Sequence, residues 1–260
     1  MTLFMIVTFA MSTTAMAEDT LNQIIKRGEL RVGTEAGYLP FEMKNKSGKI
    51  VGFDIDIMRL LAKSMGVKLK VVNSNFDGLI PALTTRKFDI IAAAMTITPA
   101  RNIKVNFVGP YLNMGQTILL NKKLAGKVKS YKDLNNPKFT VVSTIGTTGE
   151  KATKRMIPRA KYLSFETQQE AVLEVINGKA DAWVYDLPFN SVMANTKGKG
   201  KLVHLDKPFT TEAVGLAIRR DDINFLNFLN NFLVQIKSDG TYDRIYKKWF
   251  KSAGWRKSVQ

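Results

Sequence analysis

Apolar positions in this chain switch between a helical and a strand period. Over residues 20–27, Leu21, Ile24 and Ile25 share one helical face, and Gly28 ends the run. Residues 30–33 make a short strand that opens into a polar, then aromatic loop, 34–41. From Asp54, which the pattern places as a helix N-cap, Ile57, Leu60, Leu61 and Met65 recur at helical spacing up to Gly66. Residues 67–72 alternate as a strand, 73–78 form a loop carrying Phe76, and 79–86 make a helix with Pro81 in its first turn. The nearly unbroken apolar run 90–94 predicts a buried strand. The same grammar returns after residue 135: a strand at 139–142, a polar glycine-bearing loop at 143–149, and a helix at 150–156. Thr167-Gln168-Gln169-Glu170 is a capping box for a helix with Ala171, Val172, Val175 and Ile176 inward. A strand at 180–185 then ends on Asp186. Residues 212–218 form a further strand, 222–237 a helix with Phe225, Leu229, Phe232 and Ile236 in phase, and 242–250 an aromatic helix.

Strands alternating with helices at this spacing predict an α/β fold with parallel sheets flanked by helices. The halves rhyme: Lys87-Phe88-Asp89 leads into one buried strand and Lys179-Ala180-Asp181 into the other. Two similar lobes explain this better than a solenoid, which needs more units.

Composition changes this picture at one end only. Residues 1–17 carry no charge, are mostly apolar and finish in Ala15-Met16-Ala17, which reads as a secretory signal peptide cleaved after Ala17. No later segment is long and apolar enough to span a bilayer, so the mature protein is expected to be soluble in the periplasm. With no cysteine and only one histidine, His204, neither a disulfide framework nor a thiolate or histidine-rich metal site is expected, and no cofactor is called for. The net charge of +17 raises nucleic acid as a partner, but the lysines alternate with apolar residues, as in Val67-Lys68-Leu69-Lys70-Val71. That is a solvated face, and no nucleic-acid partner is expected.

The candidate chemistry lies where buried strands end. Thr96-Ile97-Thr98-Pro99-Ala100-Arg101 follows the run at 90–94. In open α/β sheets ligands sit at the carboxyl ends of strands, and an arginine fork there grips a carboxylate in two parallel bonds. Asp186 stands at the matching strand end of the second half.

These residues, with Pro40-Phe41-Glu42, Gly52-Phe53-Asp54-Ile55-Asp56, Gly78-Leu79-Ile80-Pro81, Gly146-Thr147 and Asp239-Gly240-Thr241-Tyr242 in order, resemble a known family. It is that of the periplasmic solute-binding proteins serving ABC transporters for polar amino acids, the bacterial extracellular solute-binding proteins of family 3. The resemblance covers nearly the whole mature chain. It implies the two-lobed type II periplasmic-binding-protein fold, each lobe a mixed sheet flanked by helices, joined by two hinge strands. Lobe 1 would take residues 18–113 plus 214–260, and lobe 2 residues 114–213. It implies no enzyme, but a monomer that captures a free amino acid, closes about its hinge and delivers the ligand to the membrane permease of an ABC transporter.

Position by position, the resemblance makes Arg101 the grip on the ligand α-carboxylate, Thr96 a holder of the head group, and Ala94 the source of an accepting backbone carbonyl. Thr148 would offer a backbone N–H to the carboxylate from the other lobe, and Asp186 would pair with the α-ammonium. Tyr38 and Phe76 stand as aromatic walls, and Glu35 falls where members that bind cations often carry an acid. The chain departs from relatives at Pro99 and Ala100, where an acid is common. A buried Glu35 needs a positive partner, and flanking aromatics add a cation–π attraction of about 0.5–2 kcal/mol. Lysine or arginine satisfies both. The rival reading is a dehydratase acting on prephenate or arogenate, which uses the same fold and needs a positioned general acid.

Overall fold

The helical and strand periods resolve, in a computed structural model that describes residues 19–259, into two five-stranded sheets flanked by helices. The expected signal peptide lies outside the described residues. The first sheet runs, in spatial order, Lys68–Asn73, Glu29–Thr34, Ile90–Ile91, Glu212–Ile218 and Asn106–Met114. Its first three strands are parallel, and Glu212–Ile218 lies antiparallel to both neighbours. The second sheet repeats the plan with Lys161–Phe165, Thr140–Thr144, Ala182–Asp186, Gln116–Asn121 and Leu202–Leu205. Again three strands are parallel and the fourth is antiparallel to both neighbours. Among the described residues no helix is long and apolar enough to cross a membrane.

The rhyme in the sequence has a structural cause. Asp89 accepts the Arg31 N–H at 2.9 Å, and Asp181 accepts the Thr140 N–H at 2.8 Å. In each sheet the aspartate ahead of the central parallel strand satisfies a backbone donor of its neighbour, which would otherwise be left unpaired.

Helix Thr20–Arg27 forms where its period places it. Asp19 caps it by accepting the Asn22 N–H at 2.8 Å, and Gly28 takes the left-handed position (φ 69°) that ends it. Helix Phe53–Ser64 buries Phe53, Ile57 and Leu61 completely, each worth about 1.5–3 kcal/mol of transfer free energy. Phe53 also meets the rings of Tyr242 and Phe250, at 5.6 and 5.0 Å, and so seats the C-terminal helix on the first sheet's side.

The sheets are joined by two neighbouring connections. One is Met114-Gly115-Gln116; the other spans 206–211. Gln116 donates its N–H to Thr210 Oγ1 at 2.8 Å, and Phe209 N–H donates to Gln116 O at 3.0 Å. A Cβ on Gly115 would lie 2.0 Å from Thr210 O, so only glycine lets the connections pass this closely.

Three expectations are corrected. Asp54 is no N-cap: Gly52 holds that position, and Asp54 lies fully buried in the first turn. Its Oδ2 accepts the Ala94 N–H and the Tyr111 hydroxyl, each at 2.8 Å. The strand expected over 90–94 pairs only at Ile90–Ile91, because the chain then bends, with Ala94 in the left-handed region at φ 41°. The last aromatic helix divides into Thr241–Tyr246 and a wider π turn, Lys247–Lys251.

Candidate functional site

Each sequence-predicted site residue follows the carboxyl end of a parallel strand, and the two sheets turn these ends toward each other. Glu35 and Tyr38 follow Glu29–Thr34, Phe76 follows Lys68–Asn73, and Ala94, Thr96 and Arg101 follow Ile90–Ile91. From the second sheet, Thr148 follows Thr140–Thr144, and Asp186 ends Ala182–Asp186. Thr148 is half-buried and the other seven are buried.

Arg101 sits in the short helix Pro99–Asn102, whose cap Thr98 accepts the Arg101 N–H at 3.3 Å. Its guanidinium donates to Thr96 O at 2.8 Å and, across the cleft, to Gly146 O at 3.0 Å. It also lies 5.2 Å above the Phe76 ring centroid. These two hydrogen bonds go to neutral carbonyls and use two of five N–H donors, so the cationic fork keeps capacity for an anion. Burial pulls the Arg101 pKa below its ordinary value, against the opposing pull of Glu212 and Asp186. Gly146 approaches from the second sheet with φ 76°; a Cβ there would stand 3.1 Å from Asp77 Cβ.

The acidic side is built differently. Asp186 precedes helix Leu187–Asn195 but makes no side-chain cap bond to it. Its carboxylate instead accepts the Tyr38 hydroxyl and, at 2.6 Å, Gln116 Nε2. Burial and the neighbouring Glu212 charge push its pKa up to about 7, although the Tyr38 and Gln116 hydrogen bonds and Arg101 pull the other way. Glu35 accepts from Gln168 Nε2, which also donates to Tyr185 OH at 2.8 Å. Burial raises the Glu35 pKa to about 7; the Gln168 hydrogen bond offsets this in part and Asp77 adds to it.

The Tyr38 ring packs on Phe41 and Tyr185 at 4.8 and 5.3 Å, while its hydroxyl reaches the opposite sheet's Asp186. Phe76 stacks under Arg101 itself. Ala94 is held through its N–H by Asp54, which fixes the bend between the buried strand and Thr96. Thr148 is the first residue of helix Thr148–Met156, so its N–H has no partner within the helix. Its hydroxyl lies 3.3 Å from that of Thr96.

Three residues that the sequence reading missed complete the cluster: Gln116, Gln168 and Glu212. Gln116 belongs to one connection between the sheets, and Glu212 opens the strand that follows the other. Glu212 is buried and accepts from Thr96, Thr148, Thr210 and Gln116. Gln168 was visible only as part of a capping box. No local motif marks any of the three, because each is defined by what lies opposite it in space.

His204 lies apart, on strand Leu202–Leu205, 2.9 Å from Thr117 Oγ1. Among the described residues no group of three or more His, Cys, Asp or Glu side chains is disposed to hold a metal ion. The arrangement thus gathers a guanidinium and the carboxylates of Glu35, Asp186 and Glu212 where the two sheets face each other, a pattern that fits a small zwitterion.

Comparison with known proteins agrees. Residues 30–252 match the model of the bacterial extracellular solute-binding proteins, family 3. A crystal structure from Wolinella succinogenes DSM 1740, assigned as the binding component of an ABC transporter and complexed with lysine, is 54% identical. It superposes with a TM-score of 0.86 over 89% of this chain and 99% of that one. An ancestral amino acid-binding protein, a precursor of cyclohexadienyl dehydratase, is 50% identical with a TM-score of 0.85 and the same coverage. The ABC transporter arginine-binding protein 1 of Escherichia coli (strain K12) is 32% identical over 225 residues, 85% of this chain and 90% of that protein.

Proposed function

The chain belongs to the bacterial extracellular solute-binding proteins, family 3, and we propose that it captures a free cationic amino acid, lysine or arginine, outside the cytoplasm for an ABC transporter. Arg101 grips the α-carboxylate, with the Thr148 N–H assisting from the second lobe. Asp186, Thr96 and the Ala94 carbonyl take the α-ammonium. Tyr38 and Phe76 flank the side chain, and Glu35 receives its positive end. The ligand is held by closure of residues 114–213 against 18–113 plus 214–260, about the connections at Gly115 and Thr210. One chain supplies both jaws, so a monomer suffices. The signal peptide directs it to the periplasm, where it meets the permease.

The observation that carries the cationic assignment is Glu35. Asp186 is enough to balance an α-ammonium and Glu212 is held by four neutral donors, so Glu35 adds a third enclosed carboxylate that is costly unless the ligand brings a second positive charge. Glu35 is buried beside Asp77 and accepts from the neutral Gln168. The lysine-bound neighbour and the arginine-binding relative support this reading. Thermal-shift screening followed by calorimetry with L-lysine, L-arginine, L-histidine and L-glutamine tests it. A ligand at a hundred times its Kd stabilises the fold by about 2.7 kcal/mol. Lysine or arginine should give the largest shift; tighter binding of glutamine than of either refutes the cationic assignment.

A further inference from the structure

We propose that Glu212 is a positioning residue that sets the direction of the Thr96 and Thr148 hydroxyl protons, and so turns that wall of the cleft into a surface of acceptors for an α-ammonium. The inference rests on the reading of the site as one for a free amino acid, though not on which side chain it prefers.

It follows from counting lone pairs and protons. A carboxylate has about four acceptor sites. Glu212 Oε2 receives Thr96 Oγ1 at 2.8 Å and Thr148 Oγ1 at 2.6 Å. Its Oε1 receives Gln116 Nε2 and Thr210 Oγ1, each at 3.0 Å. Thr210 Oγ1 already accepts the Gln116 backbone N–H at 2.8 Å, so its own proton goes to Glu212. The four sites are filled by donors from both lobes and both connections. Asp186 differs: it accepts from Tyr38 and Gln116, which occupy two of its four sites. The two acids therefore divide the work: Asp186 faces the ligand, and Glu212 faces the protein.

A hydroxyl has one proton to donate. With both threonine protons directed at Glu212, what Thr96 and Thr148 present elsewhere is lone pairs, on oxygens 3.3 Å apart, one of those on Thr148 being met by Gln116 Nε2 at 3.3 Å. The Gln116 amide is fixed in the same sense. Its nitrogen must face Asp186 and Glu212, since an oxygen there would oppose two carboxylates, so Oε1 points away; it is buried with no partner among the described residues. Hydroxyl lone pairs beside an open carboxylate suit an N–H-rich ammonium and reject an anion.

Glu212→Gln keeps the shape and reverses the polarity. The new amide nitrogen cannot face Gln116 Nε2, a donor already committed to Asp186. It must face the threonine pair, whose hydroxyls then accept from it and turn their protons into the cleft. Calorimetry of the wild type, E212Q, T96V and the double variant with L-lysine, L-arginine and L-glutamine tests this. E212Q should weaken every one of these that binds the wild type by about 10–100-fold, because all three share the α-ammonium. The losses in E212Q and T96V should fail to multiply in the double variant, because one acts through the other. Unchanged affinity in E212Q, a loss confined to the cationic ligands, or multiplying losses overturns the proposal. Wild-type binding of glutamine alone removes the cationic assignment but leaves this test intact, and wild-type binding of none of the three removes both. Should E212Q fail to fold, T96S and T96V carry the test. Serine should keep affinity within about threefold and valine should lose about tenfold or more; equal affinities overturn the proposal.

Discussion

Asp186→Asn separates the two costs of burying an acid in a binding cleft. The Asp186 carboxyl has its pKa raised from 3.8 to about 7, first by burial and then by Glu212. The folded chain therefore keeps a proton that the unfolded chain releases between those values. A raised carboxyl pKa contributes stability that is present at low pH and lost as pH climbs through that window. The full shift of about three units corresponds to about 4 kcal/mol, of which about 2.5 kcal/mol falls between about pH 5 and about pH 8. The amide of D186N has the shape of the protonated acid and does not titrate. Relative to the wild type, the unfolding free energy of D186N should therefore rise by about 2.5 kcal/mol from about pH 5 to about pH 8, a melting shift of about 5–10 °C for a chain of this size. Urea unfolding of ligand-stripped protein across that range is the assay. The same variant should lose binding of L-lysine by about a hundredfold, since a hydrogen-bonded charge contributes about 1.5–3 kcal/mol. Parallel pH profiles for the two proteins would refute the burial argument, and undiminished lysine binding would refute the ammonium assignment.

Other outcomes follow from the same geometry. Arg101→Lys should weaken ligand binding by about 10–100-fold by calorimetry, because a point charge cannot reach Thr96 O, Gly146 O and a carboxylate together; unchanged affinity would show that the fork is not used. Glu35→Gln should cost a cationic ligand about 1.5–3 kcal/mol and leave L-glutamine nearly unaffected, and equal losses would remove Glu35 from side-chain reading. Gly115→Ala must displace Thr210 O and with it the Gln116–Thr210–Glu212 contacts, so affinity should fall while each lobe keeps its amide-exchange protection; full retention of binding would show that the connection yields easily. Asp54→Ala strips the Ala94 N–H and the Tyr111 hydroxyl of their acceptor and should destabilise by about 2–5 kcal/mol in urea unfolding, whereas removal of a mere helix cap would cost about 1 kcal/mol.

The sequence by itself determined the parts whose cause is local. Helix Thr20–Arg27 carries its own cap, period and terminating glycine within ten residues. The capping box at Thr167 is likewise decided by near neighbours. That Thr96, Arg101 and Asp186 stand at strand ends was legible because polar groups there directly follow apolar runs. Strand Gln116–Asn121 and helix Leu187–Asn195 were not read, because the first carries buried polar residues at its start and the second has in its first turn a proline, Pro188, that also serves as a breaker. Asp54 was misread for the same kind of reason: an aspartate ahead of a helical period is usually a cap, and only the packed fold shows it reaching Ala94, forty residues away in the chain. The tertiary structure alone decided which polar groups share one enclosed space. Lone pairs and protons are matched across lobes that are distant in sequence, so Gln116, Gln168 and Glu212 gain their roles only when the two sheets meet.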